Sequence, residues 1–165
     1  SFDIHPHPLD WLHFESSFSL VRGLLSSPVE GNRNIPFIPA ARVLSELRFD
    51  LFQKQKKLLK NTYFKIELDR NFKQKNAFTT FNTETPTVSY TLINAGVGAD
   101  FIHQGKTMIS IYVVAANIFD AAYQNHLNRL KYAGENSVTG QSGIYNMGRN
   151  FSFKIKISYK IIDLC

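Results

Sequence analysis

The chain lacks most of what a soluble catalyst or a helical membrane protein needs. Its one cysteine, Cys165, is the last of 165 residues, so neither an internal disulfide framework nor a zinc site of cysteine type can form within one chain. Nowhere does an apolar run approach the ~18 residues of a membrane-crossing helix. Gly96-Val97-Gly98 lacks the third glycine of a dinucleotide loop and sits inside a strand-like run. No nucleophile elbow and no paired-carboxylate signature occurs, so no enzyme activity and no cofactor is expected. His5, His7 and His13 cluster near the N-terminus, but without acidic partners at ligand spacing. Pro6 and Pro8 are read instead as stiffening the lead-in to the first strand. No secretory leader precedes Ser1-Phe2-Asp3-Ile4, which reads as mid-protein sequence.

What the chain does have is charge, aromatics and alternation. The net charge is +6. A basic balance raises nucleic acid or an anionic lipid as partners. The cations are scattered, however, with a local run only at Lys54, Lys56, Lys57 and Lys60. They read as solvated turn charges, and no nucleic-acid partner is expected. Aromatic residues make up 13%, with 14 Phe and 7 Tyr, a load that suits a buried core or a wall facing lipid.

The hydrophobic period is mostly two. Strands are predicted over 10–24, 42–52, 59–72, 87–101, 107–119 and 149–159. A parity change near Leu92-Ile93 predicts a bulge there, and Gly96 and Gly98 allow bending or close approach. Short turns, Gln53 to Lys57 and His103 to Lys106, alternate with long loops at 26–41, 73–86 and 120–148. In the last loop the helical spacing of Ala122, Tyr123, His126, Leu127 and Leu130 predicts a short helix. That loop also carries the best candidate ligand surface, Tyr123, His126, Arg129 and Lys131, because long loops often carry function. The bland alternative is a loop that only packs on its neighbours.

Several predicted strands are about 11 to 14 residues long, against a mode of about 5–6 in globular sheets. Tilted membrane strands need about 9–11, and outer-membrane barrels alternate short turns with long loops. Charges stand at strand centres: Glu46, Arg48, Asp50, Lys65, Glu67 and Asp69. They would face a wet lumen in a wide membrane barrel, or solvent in a soluble one. Periodicity leaves both open. Trp11 and the tyrosines suit an aromatic girdle, with ordinary packing as the alternative.

The clearest feature is the terminal segment. Phe151, Phe153, Ile155, Ile157 and Tyr159 alternate with Ser152, Lys154, Lys156 and Ser158. With Asn146-Met147-Gly148-Arg149-Asn150 before it, this segment resembles the closing strand of TonB-dependent outer-membrane receptors, whose final aromatic is read by the barrel assembly machinery. Tyr159 stands where that aromatic is expected, and Lys160 to Cys165 extend past it as a tail. Weaker likenesses run in the same order: Phe2 to Leu12, Asn34-Ile35-Pro36-Phe37-Ile38-Pro39, Leu92 to Ala99, and Ala116-Asn117-Ile118-Phe119-Asp120 followed by Tyr123 and His126-Leu127.

The resemblance implies an all-β chain: an antiparallel up-and-down transmembrane β-barrel segment of about six long strands, with periplasmic turns and extracellular loops. Residues 1–159 would be the C-terminal portion of a barrel of about 22 strands, and 160–165 the tail. It implies a bacterial outer-membrane location and energised uptake of a siderophore or other scarce solute. The implied partners are the lipid bilayer, the plug and remaining strands of the receptor, and TonB through a missing N-terminal part. The other function class in view is a soluble lipocalin-like barrel holding an apolar ligand.

Overall fold

Alternating side chains commit most of the chain to strands, and a computed structural model describes residues 1–6, 9–52 and 58–158. Among these residues nine strands form: β1 (Phe2–Ile4), β2 (Leu12–Ser19), β3 (Leu24–Val29), β4 (Asn32–Asn34), β5 (Arg42–Phe52), β6 (Leu59–Asn71), β7 (Tyr90–His103), β8 (Lys106–Ala116) and β9 (Asn150–Ile157). Seven make one antiparallel sheet in the order β1-β2-β5-β6-β7-β8-β9, so each long strand lies beside its neighbour in sequence. The two ends of the sheet, β1 and β9, do not pair with each other. The predicted turn Gln53 to Lys57, the residues His7 and Pro8, and the segment from Tyr159 to Cys165 lie outside the described residues.

Register sorts the side chains into two faces. Leu47 stands opposite Ile66, Leu68 opposite Ile93, Val97 opposite Val113 and Val113 opposite Phe153. One row over, Glu46 stands opposite Glu67 and Arg48 opposite Lys65. The apolar face stays bare: Phe151, Phe153, Ile155 and Ile157 are each at least 60% exposed. Ala77, Phe78, Leu92 and Ile102 are the buried apolar residues among those described, and no large side chain is fully buried. Total accessible surface is 11709 Å² for 18.8 kDa, where a compact monomer of that mass exposes about 8,300 Å². The sheet therefore lacks an ordinary core.

Three expectations are corrected. The first predicted strand stops at Ser19, and Leu24–Val29 turns back on Asn32–Asn34 as a hairpin inside the first long loop. Its Glu30-Gly31 turn has both residues at positive φ (46° and 78°), the twist that suits a two-residue hairpin. The bulge near Leu92-Ile93 is absent, because β6 and β7 stay in register from Tyr63↔Gly98 to Asn71↔Tyr90. Tyr90 and Leu92 are instead apolar residues on the polar face, where Leu92 is buried and Tyr90 meets Tyr123 and Asn125 of the third long loop. The irregularities fall at Lys60/Tyr63, where Asn61 takes φ 50°, and at Phe101/Ile102. Finally, the helix predicted from Ala122 is a single 3₁₀ turn, Arg129–Tyr132. The side chains of Asn125 and Asn128 accept from the backbone N–H groups of Leu127 and Leu130, which competes with helical bonding.

The turn at His103 to Lys106 forms as expected, with Gln104 and Gly105 at φ 48° and 75°. The close approach expected of Gly96 and Gly98 is also present. A Cβ on Gly98 would meet the rings of Tyr63 and Tyr112, and one on Gly96 would lie 3.2 Å from Lys65 Cε. Long polar-face side chains of β6 and β8 fold over these two glycines.

Candidate functional site

The site is built where the three long loops meet over the polar face. Below them the wall carries a ladder of charge. Arg42 donates two bonds to Asp69, 2.7 and 2.9 Å, and Asn71 donates to Asp69 at 2.8 Å. Lys65 donates to Glu46 at 2.7 Å, and Asn94 to Glu67 at 2.6 Å. Arg48 lies 2.8 Å from Asp50 and over the Tyr63 ring at 4.2 Å, while His13 reaches Asp50 at 3.0 Å. Like charges stand directly opposite, Glu46 to Glu67 and Arg48 to Lys65, and the ion pairs Arg42–Asp69 and Lys65–Glu46 run on the diagonals.

Above the ladder the loops tie to one another through polar side chains. Glu84, 2% exposed, is the hub. Its Oε1 accepts from the N–H of Phe37 in the first loop at 2.7 Å, and its Oε2 from the N–H of Phe78 in the second at 2.8 Å. From the third loop His126 Nε2 lies 3.5 Å from Oε1, too far for a good hydrogen bond. Gln74 donates to the carbonyls of Ile38 and Pro39, and Asn32 and Asn34 to that of Ala77. Tyr132 accepts from the Thr85 N–H at 3.3 Å.

His126 and Lys131, two of the predicted site residues, come together here. His126 is 4% exposed, and its Nδ1 lies 2.8 Å from Thr87 Oγ1 and 3.4 Å from Lys131 Nζ. Lys131 can only donate, so Nδ1 is an acceptor and the ring proton sits on Nε2, facing Glu84. Burial and the Lys131 charge hold the imidazole below its ordinary pKa of 6.5, against the opposing pull of Glu84. Lys131 Nζ also donates to Thr85 O and Thr87 Oγ1. The other two predicted residues pack elsewhere. Tyr123 packs tilted against Tyr90, 4.5 Å between ring centroids, and burial raises its phenol pKa. Arg129 lies over the Phe37 ring at 4.9 Å.

Beneath the third loop a cavity of about 240 Å³ lies between His126, Asn125 and Leu127 above and Arg42, Asn71 and Tyr90 on the wall. Its polar groups are engaged: Asn125 donates to the Tyr90 hydroxyl at 3.0 Å, and Arg42 and Asn71 are spent on Asp69. Sequence reasoning missed Glu84 and Thr87. The pattern Asn82-Thr83-Glu84-Thr85 reads as an ordinary polar loop tip, and nothing local distinguishes the buried carboxylate.

The predicted closing strand occupies the sheet edge. Phe151, Phe153, Ile155 and Ile157 stand on the apolar face, paired with Ala115, Val113, Ile111 and Ile109 of β8. At the short-turn end of the same face Trp11, Phe49 and Phe64 stack in a row, with centroids 6.2 and 6.3 Å apart. Among the described residues no group of three or more His, Cys, Asp or Glu could hold a metal ion.

No family model and no curated protein matches the chain. Among solved structures it is similar to the copper transporter OprC, at 15% identity and a TM-score of 0.71, over 95% of this chain. This chain spans 22% of the length of that one. The likeness shows the fold: antiparallel long strands in a large sheet, as in a stretch of that transporter.

Proposed function

We propose that this chain is barrel wall from a TonB-dependent outer-membrane transporter, its C-terminal portion through residue 159, taking part in energised uptake of a scarce solute. The observation that carries the reading is how the two faces are covered. The loops fold over the charged face, and the apolar face keeps Phe18 on β2, Ile66 and Leu68 on β6, Val97 on β7, Ile109 on β8 and Phe151 to Ile157 on β9 exposed. A lipocalin-like barrel would enclose its apolar face for a ligand and wet its charged one. Here the enclosed face is the charged one, which suits a lumen, and the bare face suits lipid. The fold likeness to a transporter supports the same reading.

In this reading the turn at 103–106 is periplasmic, the long loops are extracellular, and Trp11, Phe49 and Phe64 form part of the periplasmic aromatic girdle. Tyr123, His126, Arg129 and Lys131 belong to the extracellular loop that meets the solute, with Arg129 exposed on it and His126 buried beneath. The remaining strands and a plug complete the barrel, and TonB engages a part of the receptor outside this chain. Phe151 to Tyr159 present the strand read by the assembly machinery. The copper of the neighbour's name is not carried over, because this chain offers no matching ligand cluster among its described residues.

Solubility tests the reading. Residues 1–165, refolded from urea, are expected to stay dispersed in detergent micelles or vesicles and to aggregate in buffer alone. A monodisperse, cooperatively unfolding monomer in buffer without detergent would sink it.

A further inference from the structure

The apolar face carries one arginine that the wall does not neutralise. Arg42, Arg48 and Lys65 point to the polar face, and each pairs with a carboxylate. Arg70 is on the opposite face. It stands across from Val43 and Thr91, one step beyond Leu68 toward the long loops. None of the ion pairs among the described residues includes it. Its fork is nevertheless held in place: one terminal nitrogen donates to Thr91 Oγ1 at 2.6 Å and the other to Ser89 Oγ at 3.3 Å. The guanidinium also lies 5.8 Å from the centroid of the Phe72 ring, which is 41% exposed.

We infer that Arg70 is a binding site for the headgroup phosphate of a lipid in the leaflet on the long-loop side. The inference rests on the membrane reading above. Below Arg70 the face is apolar through Leu68, Ile66 and Ile93, so acyl chains cover it. An unpaired guanidinium is costly inside hydrocarbon, which places Arg70 at the interface, level with headgroups. Two hydroxyls and an aromatic face orient it there. A guanidinium has five N–H donors, and those not spent on Ser89 and Thr91 remain for phosphate oxygens, a partner whose geometry the fork matches. Hydroxyls alone would not neutralise the charge, whereas a phosphate would.

The test uses the full receptor that contains this chain, folded in detergent and shown to be heat-modifiable on gels. Native mass spectrometry then counts retained lipid on titration with dioleoyl phosphatidic acid, and with dioleoylglycerol, which lacks the phosphate. The expected result is a discrete phosphatidic acid adduct, absent with dioleoylglycerol and weakened about ten-fold in Arg70→Gln. Arg70→Lys should restore part of it, and Thr91→Val should weaken it less than Arg70→Gln does. Equal retention by the folded native protein and Arg70→Gln overturns the proposal, as does equal retention of dioleoylglycerol. Displacement by millimolar inorganic phosphate also overturns it, assigning the site to free anions. If Arg70→Gln does not fold, the contrast of native, Arg70→Lys and Thr91→Val decides by the same criteria. Loss of heat-modifiability in the native receptor would appear before any lipid is added. It would overturn the membrane reading itself, and this proposal with it.

Discussion

The wall and the loop cap of this protein are held together by different physics. The wall, from β2 to β9, repeats one rule: backbone ladder, apolar residues to one side, mostly polar and charged ones to the other. Its bonds are many and similar, so no single side chain governs it. The cap has almost no backbone ladder beyond the β3–β4 hairpin. It is joined by single side chains reaching across loops, and its centre is a carboxylate rather than an apolar cluster. A structure of the second kind should fail at one residue. One of the first kind should fail only where its covering medium is contradicted.

The largest effect is therefore expected at the hub. Glu84→Ala leaves the buried N–H of Phe78 and the part-buried N–H of Phe37 without an acceptor. At about 1–3 kcal/mol for an orphaned buried donor, and less for the one water can reach, the cap should lose roughly 2–4 kcal/mol. Hydrogen exchange should show those two amides exposed while the amides of β6 and β7 stay protected. Equal loss in wall and cap would erase the distinction drawn here. On the wall, Val97→Arg at mid-strand on the apolar face should cost about 2–4 kcal/mol when the protein is folded in vesicles. Urea titration of the vesicle-bound form measures it, and a change within about 0.5 kcal/mol would mean that water covers that face.

Acid should separate the regions by a smaller margin. The folded cap keeps His126 neutral below its ordinary pKa, so it binds fewer protons than the opened cap. Its stability is then fully present above about pH 6.5 and is lost as the pH falls through the lowered value. Exchange at the Phe78 amide should accelerate in that range, and His126→Gln should remove most of the acceleration. A flat profile would mean that His126 does not hold the third loop. The smallest effect is expected on the polar face. Lys65→Ala breaks a part-exposed pair with Glu46 and should cost about 0–1 kcal/mol by urea titration.

The same contrast explains what was legible. A period of two located the six long strands within a few residues, because in-and-out alternation is a local property of the chain. The Leu92-Ile93 reading went astray because it assumed one apolar face throughout. Tyr90 and Leu92 are apolar on the polar side, where Tyr90 packs against Tyr123 of a loop more than 25 positions later in the chain. Asn125 and Asn128 undid the predicted helix by a local bond that periodicity does not register. Of the candidate loop residues, His126 and Lys131 fall in the polar centre of the cap, while Tyr123 and Arg129 serve as packing against Tyr90 and Phe37.

Sequence by itself determined the strands, their two faces and the short turn at Gln104-Gly105, since each follows from neighbours within a few residues. Which face is bare and which is covered was decided only by the tertiary structure. Alternation is symmetric between the two, and the choice depends on where loops distant in sequence come to rest. The partners of Glu84 were decided the same way, because Phe37, Phe78 and His126 meet it from three separate loops. Arg70 belongs to both levels. Its place on the apolar face follows from parity, but its lack of a carboxylate follows from what the folded wall sets beside it.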